Sequence, residues 1–250
     1  MRNFKATLAY DGTDFAGWQV QPGQATIQSE VNKALEKIEG KSVEVYGSGR
    51  TDAGVHALGQ VASFALECPI PILGLRRALN FRLPPAIRVN QVEEVTPEFH
   101  ARYSATSKTY EYRIWRGEAC PPFDARYAYH CPYPLDEAAM IEAAGKFVGE
   151  KDFRSLATND GREHETTVRV IFESRLERVE ERLIYRVRGS GFLYNMVRNI
   201  VGTLMEVGRR NQTVEGIERV LEARDRSAAG PTAPAGGLFL VEVEYPEVGF

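Results

Sequence analysis

Residues 47–56 read GSGRTDAGVH, which sets Arg50 and Asp52 two apart in a glycine-punctuated segment with few apolar side chains. A carboxylate in such a loop can act as a nucleophile or an acid-base group, and a nearby arginine can handle an anionic substrate. Gly47, Gly49 and Gly54 would let the backbone take torsions closed to other residues and let a bulky partner approach. Taken alone, though, the same residues make an ordinary turn: Asp in loops bonds its own backbone, and a loop arginine is a solvated charge. Three further stretches carry similar side chains. YDGTDFAGWQ (10–19) supplies Asp11, Asp14, Trp18 and Gln19, with Trp18 also readable as an apolar loop anchor. KTYEYRI (108–114) puts Tyr110 and Tyr112 on one strand face by the period of two. GSGFLYNMVRNIVG (189–202) carries Arg198 beside an apolar stripe of Phe192, Met196, Ile200 and Val201, as a solvated flank or as a buried partner for an acid.

The elements that must position these groups can be traced along the chain. FKATLAY (4–10) alternates as a half-buried strand, and the turn-rich loop 11–24 follows it. In TIQSEVNKALEKIEG (26–40), Ile27, Val31, Leu35 and Ile38 form an apolar helical stripe, with Thr26 as N-cap and Gly40 as the stop. SVEVYGS (42–48) and QVASFAL (60–66) read as strands flanking the Arg50–Asp52 loop. A short helix over ILGLRRALNFRL and strands over AIRVNQVEEV and SKTYEYRIW come next. Residues 117–136, rich in proline and aromatics, read as the crossing between two halves. The second half predicts a helix over LDEAAMIEAAGKFVG, strands over TTVRVIFESRLERV and RLIYRVRGS, helices over FLYNMVRNIVGTLMEVGRR and TVEGIERVLEARD, and a closing strand LFLVEVEY. This mixture is an α+β chain with two similar lobes, 1–118 and 119–250.

Hydrophobic content of 43% over 250 residues is that of a folded protein. No run approaches a membrane span, and the N-terminus starts a strand pattern where a secretory signal would place an apolar block, so a cytoplasmic protein is expected. Cys68, Cys120 and Cys131 lack C-x-x-C spacing and indicate neither a disulfide framework nor a zinc site. Neither a Walker nor a Rossmann glycine signature is present. The net charge of -3 argues against binding nucleic acid through bulk positive charge, so any such binding needs a focused basic groove. Arginines such as Arg154, Arg162, Arg169, Arg186, Arg188, Arg209 and Arg210 offer forked contacts for phosphates, or pair with glutamates on solvated faces.

Five ordered segments, YDGTDFAGWQ, GSGRTDAGVHA, KTYEYRI, GSGFLYNMVRNIVGTL and APAGGLFL, resemble the signature segments of the tRNA pseudouridine synthase A family, over nearly the whole length. The resemblance implies two α+β lobes around a largely antiparallel sheet with a central RNA-binding cleft, the lobe 1–118 carrying the catalytic loop and 119–250 completing the cleft. It implies isomerisation of uridine to pseudouridine at positions 38, 39 and 40 of the tRNA anticodon stem and loop, on a flipped-out nucleotide. Asp52 falls on the family's catalytic aspartate, Arg50 on the arginine of the same motif, Tyr110 on the tyrosine that packs against the target base, Arg198 on the basic partner of the aspartate, and Leu238 on a pocket leucine. DFRSLATNDGREHETTVR matches more loosely, and Arg154 and Arg162 receive no role from it. A homodimer sharing a tRNA groove, with no cofactor, metal or membrane, is also implied. Two other readings compete on the residues alone. One is a noncatalytic RNA-binding protein; the other is a glycosidic hydrolase in which Asp11 or Asp14 pairs with Asp52.

Overall fold

The computed structural model describes residues 1–159, 161 and 166–246; Arg162 lies outside them. The chain forms two compact units, residues 1–106 with 239–250, and residues 107–238. Both mix helices with mostly antiparallel strands, the α+β class expected.

In the first unit, β1 (Arg2–Tyr10) lies between β3 (His56–Leu66) and β4 (Ile87–Val95), antiparallel to both. Its Phe4, Ala6, Leu8 and Tyr10 are buried while their neighbours are partly exposed, the period of two that the sequence shows. Strand β10 (Leu238–Glu244) joins β3 in parallel through Phe239 and Leu240. Helix α1 (Ile27–Glu39) begins at Thr26, whose hydroxyl accepts from the Ser29 N–H while Ser29 Oγ accepts from Thr26 N–H, a closed capping box. It ends at Gly40 with φ +81°. Ile27, Val31, Ala34 and Leu35 are its buried face. The predicted strand 42–48 is reduced to β2 (Tyr46–Gly47), paired with Ser63 and Ala62 of β3. Val43 and Val45 are buried without joining the ladder. Helix α2 (Ile72–Arg82) buries Leu75 and Leu79 and is tied to β4 by Asn80, which exchanges two bonds with the Val89 backbone.

In the second unit, the strand order is β5 (Ser107–Trp115), β9 (Arg182–Gly189), β8 (Val168–Val179), β7 (Gly149–Asp152), antiparallel throughout. A two-residue strand, β6 (Tyr129–His130), runs parallel to β5 inside the proline-rich stretch. Helices α3 (Glu137–Gly145), α4 (Met196–Gly208) and α5 (Gly216–Ala223) complete it. Eleven of the 13 residues of α4 are buried, so this helix is the core of the unit rather than a surface amphipath. The sequence carries the α4 pattern back to Phe192. The helix instead starts at Met196, because Asn195 takes left-handed φ +58° and interrupts the helical torsions before it. No helix among the described residues is long and apolar enough to cross a membrane.

Candidate active site

The loop carrying Arg50 and Asp52 connects β2 to β3, and it is built from inside by buried polar groups. Ser48 N–H donates to the Val61 carbonyl at 2.8 Å, and Ser48 Oγ donates to Gln60 Oε1 at 2.6 Å. Gln60 Nε2 donates to the Gly49 carbonyl (3.1 Å) and to Tyr10 Oη (3.4 Å). Tyr10 Oη is in turn 2.8 Å from Thr51 Oγ1. Ser48, Thr51, Gln60 and Tyr10 are all buried, so each bond operates away from competing water. Thr51 points inward, Arg50 is exposed, and Asp52 is half-exposed. The scaffold therefore holds the backbone on both sides of Asp52 and leaves its carboxylate within reach of solvent or substrate.

The loop 11–19 locks onto this arm. Trp18 N–H donates to the Thr51 carbonyl (3.0 Å), Gly54 N–H to Phe15 (3.3 Å), and Val55 N–H to the Asp52 carbonyl (3.1 Å). A Cβ on Gly12 would stand 2.0 Å from the Val55 carbonyl oxygen, and one on Gly47 would stand 2.4 Å from the Trp18 ring. These glycines allow close approach of two chain segments. Gly17, at φ +88°, and Gly54, at φ +77°, supply torsions closed to other residues. Trp18 is buried and serves as the anchor of its loop. Arg50 Nε donates to Gln19 Oε1 at 3.1 Å, which sets its guanidinium along the outer edge.

Asp11 makes a turn: its Oδ1 accepts from Thr13 N–H (3.0 Å) and Thr13 Oγ1 (2.6 Å). The same oxygen lies 3.2 Å from His56 Nδ1, which accepts from Gly12 N–H at 3.1 Å. Nδ1 cannot accept and donate at once: with the ring proton on Nε2 it accepts from Gly12 N–H, and a ring carrying a proton on Nδ1 would donate to Asp11. His56 is buried and stacks on Phe239 at 4.7 Å, which fixes the end of the loop to β10.

Burial pushes the Tyr10 hydroxyl up to about 12, opposed in part by its bonds to Thr51 and Gln60. A raised folded pKa means full stabilisation below the unfolded value of about 10. It is lost as pH rises from there through about 12. Unfolding midpoints should accordingly fall across that window, and a Tyr10→Phe protein, though less stable at neutral pH, should show a shallower fall. An equal slope in the two proteins would remove this assignment.

In the second unit, Tyr110 and Tyr112 share a face of β5, as the spacing implies, but that face is the buried one. Tyr110 meets Phe192 edge-on, with ring centroids 5.0 Å apart and planes at 78°. Tyr112 is fully buried and donates through its hydroxyl to the Pro234 carbonyl at 2.8 Å. Burial raises its pKa, while the positive charge of Arg198 pulls the other way. Arg198 itself is half-buried: Nε donates to the Ala233 carbonyl (2.7 Å) and Nη1 to Asn195 Oδ1 (3.0 Å). Ala233 N–H donates back to the Arg198 carbonyl at 3.1 Å. The segment 230–234 thus lies across α4 and holds Arg198 by both backbone and side chain. Leu238, four residues beyond Pro234, is buried at the start of β10.

Sequence reasoning missed the Tyr10, Thr51, Gln60, Ser48 network. Its one visible signal is a glutamine at the head of an otherwise apolar strand. It also missed Ala233, whose backbone clasps Arg198 and which no side-chain pattern can reveal. Arg154, left without a role, sits in a single 3₁₀ turn, where its N–H donates to Asp152 Oδ1 at 3.1 Å.

Two locked arms in the first unit and a clasped arginine in the second are arrangements that comparison with known proteins makes specific. The family model of tRNA pseudouridine synthase matches residues 6–104 and 143–246, and the chain belongs to that family. It is 57% identical over 247 residues to the tRNA pseudouridine synthase A of Solibacter usitatus (strain Ellin6076), covering 98% of this chain and all of that one. To the tRNA pseudouridine synthase A of Limosilactobacillus fermentum (strain NBRC 3956 / LMG 18251) it is 47% identical, covering 98% and 96%. The enzyme of the same name from Anoxybacillus flavithermus (strain DSM 21510 / WK1) is also 47% identical, with 98% and 99% covered.

Proposed function

We propose that this chain isomerises uridine to pseudouridine in tRNA, at positions 38, 39 and 40 of the anticodon stem and loop. The observation that carries this is the Asp52 arm: a half-exposed carboxylate on a backbone clamped by buried hydrogen bonds, in a member of the tRNA pseudouridine synthase family. The reaction breaks the bond between the ribose and the base nitrogen. The base turns, the ribose bonds to a base carbon, that carbon loses its proton, and the freed nitrogen gains one. Asp52 is the nucleophile that holds the intermediate covalently. Arg198 is the cation that keeps Asp52 ionised in a water-poor pocket. Tyr110 offers its ring to the uracil, and its hydroxyl helps remove the carbon-bound proton. Leu238 lines the pocket. No cofactor or metal enters this scheme.

In this reading the unit that contains residues 1–106 supplies the catalytic loop, and the protein acts in the cytoplasm as a homodimer around one tRNA. The test is tritium release from tRNA labelled at the base carbon, with the product position mapped. RNA binding without release would leave a binding protein, and free uracil would make the chain a hydrolase.

Arg50 has a separate role. A paired nucleotide must leave its stack before Asp52 can reach it, at a cost of roughly a few kcal/mol. Exposed and braced on Gln19, Arg50 enters the vacated position. Arg50→Ala should slow single turnover on an intact stem roughly tenfold or more, and far less on RNA whose target uridine is already unpaired. Equal losses on both substrates would eliminate the flipping role.

A further inference from the structure

The longest stretch bearing on how an acidic protein holds RNA is 68–92, where 25 consecutive residues contain Arg76, Arg77, Arg82 and Arg88 and neither aspartate, glutamate nor lysine. In a chain of net charge -3, this is a local excess of four positive charges. Helix α2 carries the first three. Its exposed crest is Leu73, Arg77 and Phe81, four residues apart and therefore in one row, with Phe81 85% exposed. Arg76 flanks the crest on the side of β4, where Nη1 donates to the Asn90 carbonyl at 3.1 Å. Arg88 extends the surface along the outward side of β4, with Nη1 bonded to the Pro84 and Ile87 carbonyls. Arg82 is accounted for at the helix C-terminus, bonded to the Ala78 carbonyl.

Among the described residues, none of these four arginines forms an ion pair. The acids that border this stretch, Glu67, Glu93 and Glu94, are already paired with Lys41, Lys5 and Arg2. Carbonyl bonds orient a guanidinium without neutralising it, so the charge stays available for an anion. An 85%-exposed phenylalanine among unneutralised arginines suits one kind of ligand, with charged phosphates and flat bases. The patch also connects to the catalytic arms within the first unit. The Ala86 carbonyl, between α2 and β4, accepts from Asp11 N–H at 2.9 Å, and Asp11 begins the loop that locks the Asp52 arm.

We propose that the outer face of α2 and the head of β4 form an RNA-docking surface, with Arg76, Arg77 and Arg88 on backbone phosphates and Phe81 stacked on a base. It rests on the reading above that the substrate is RNA. The surface supplies positive charge that the net composition lacks, and it lies outside the residues assigned to the chemistry.

The experiment measures tRNA affinity against salt concentration for the wild-type protein, for Arg76→Gln/Arg77→Gln/Arg88→Gln, for Phe81→Ala, and for Arg219→Gln as an exposed control. The triple variant should weaken binding on the order of tenfold or more and flatten the salt slope by about two to three. Phe81→Ala should weaken binding about fivefold or more with the slope unchanged. Both should keep their folded spectra and their turnover at saturating tRNA within about twofold of wild type. Unchanged affinity and slope in the triple variant, with wild-type pseudouridine formation intact, would overturn the surface while leaving the activity standing. So would loss of binding to anionic vesicles with tRNA binding unaltered. A wild-type protein that forms no pseudouridine would instead fail the reading of function.

Discussion

Asp52→Asn and Asp52→Ala should fold, bind tRNA close to wild type, and form pseudouridine slower by on the order of 10⁴-fold or more. The expectation of a folded protein comes from the division of labour within the loop. The Asp52 backbone carbonyl accepts from Val55 N–H, its neighbour Thr51 is clamped to Tyr10 and Trp18, and the carboxylate is half-exposed. The fold therefore leans on Thr51 and on the main chain at 52, and replacing the side chain leaves those bonds in place. Asparagine keeps the size and a hydrogen-bonding oxygen but loses the charge and the nucleophilicity, so its rate should resemble that of alanine. The assay is single-turnover tritium release with enzyme in excess, alongside thermal unfolding and tRNA binding. Product from purified Asp52→Asn at more than about a hundredth of the wild-type rate would remove Asp52 from the nucleophile's role. A melt well below wild type would show that the carboxylate carries structure as well.

Much of this arrangement is legible in the sequence, for reasons that differ by residue. Helix α1 is fixed by local signals that agree with one another: a hydroxyl cap at Thr26, an apolar stripe, and a glycine stop at Gly40 with φ +81°. The Arg50–Asp52 loop is placed ahead of a strand because QVASFAL (60–66) is short, apolar and follows a glycine-rich turn, as a buried strand would. What the sequence hides is pairing at a distance. Gln60 looks like a strand-end polar residue until Tyr10, 50 positions earlier, is seen to lie beside its amide. Tyr110 and Tyr112 share a face by simple alternation, yet which face is buried depends on the elements packed over it, here Phe192 and the Pro234 segment. Residues 42–45 have strand composition, but Val43 and Val45 bury their side chains without a ladder partner, since burial rather than pairing is what valine's preference rewards. Periodicity alone carries the apolar pattern of α4 back to Phe192, whereas one left-handed residue, Asn195, delays the helix to Met196.

The same hidden contact makes Gly202→Ala the substitution with the largest expected effect on the second unit. Gly202 faces out of α4 toward the segment that clasps Arg198, and a Cβ there would stand 1.6 Å from the Pro231 carbonyl oxygen. The opposing Gly230 is also closed to a side chain, its Cβ position lying 2.5 Å from the Gly202 carbonyl oxygen. Neither obstacle is the flexible end of a side chain, so the backbone of 230–234 has to move. Ordinarily alanine in a helix is favoured over glycine by roughly 1 kcal/mol. Here the clash reverses that preference, and we expect a loss of about 3 kcal/mol, seen as a fall in Tm on the order of 10 °C. Displacing the segment also pulls the Ala233 carbonyl from Arg198 Nε and the Pro234 carbonyl from the Tyr112 hydroxyl. The surviving folded protein should therefore bind tRNA but turn over more slowly, because Arg198, proposed above for the chemistry, has lost its brace. Gly145→Ala, in the last position of α3 with open space around its Cβ, is the matched control and should be neutral or stabilising. If Gly202→Ala melts and turns over like the control, segment 230–234 yields without cost and does not position Arg198.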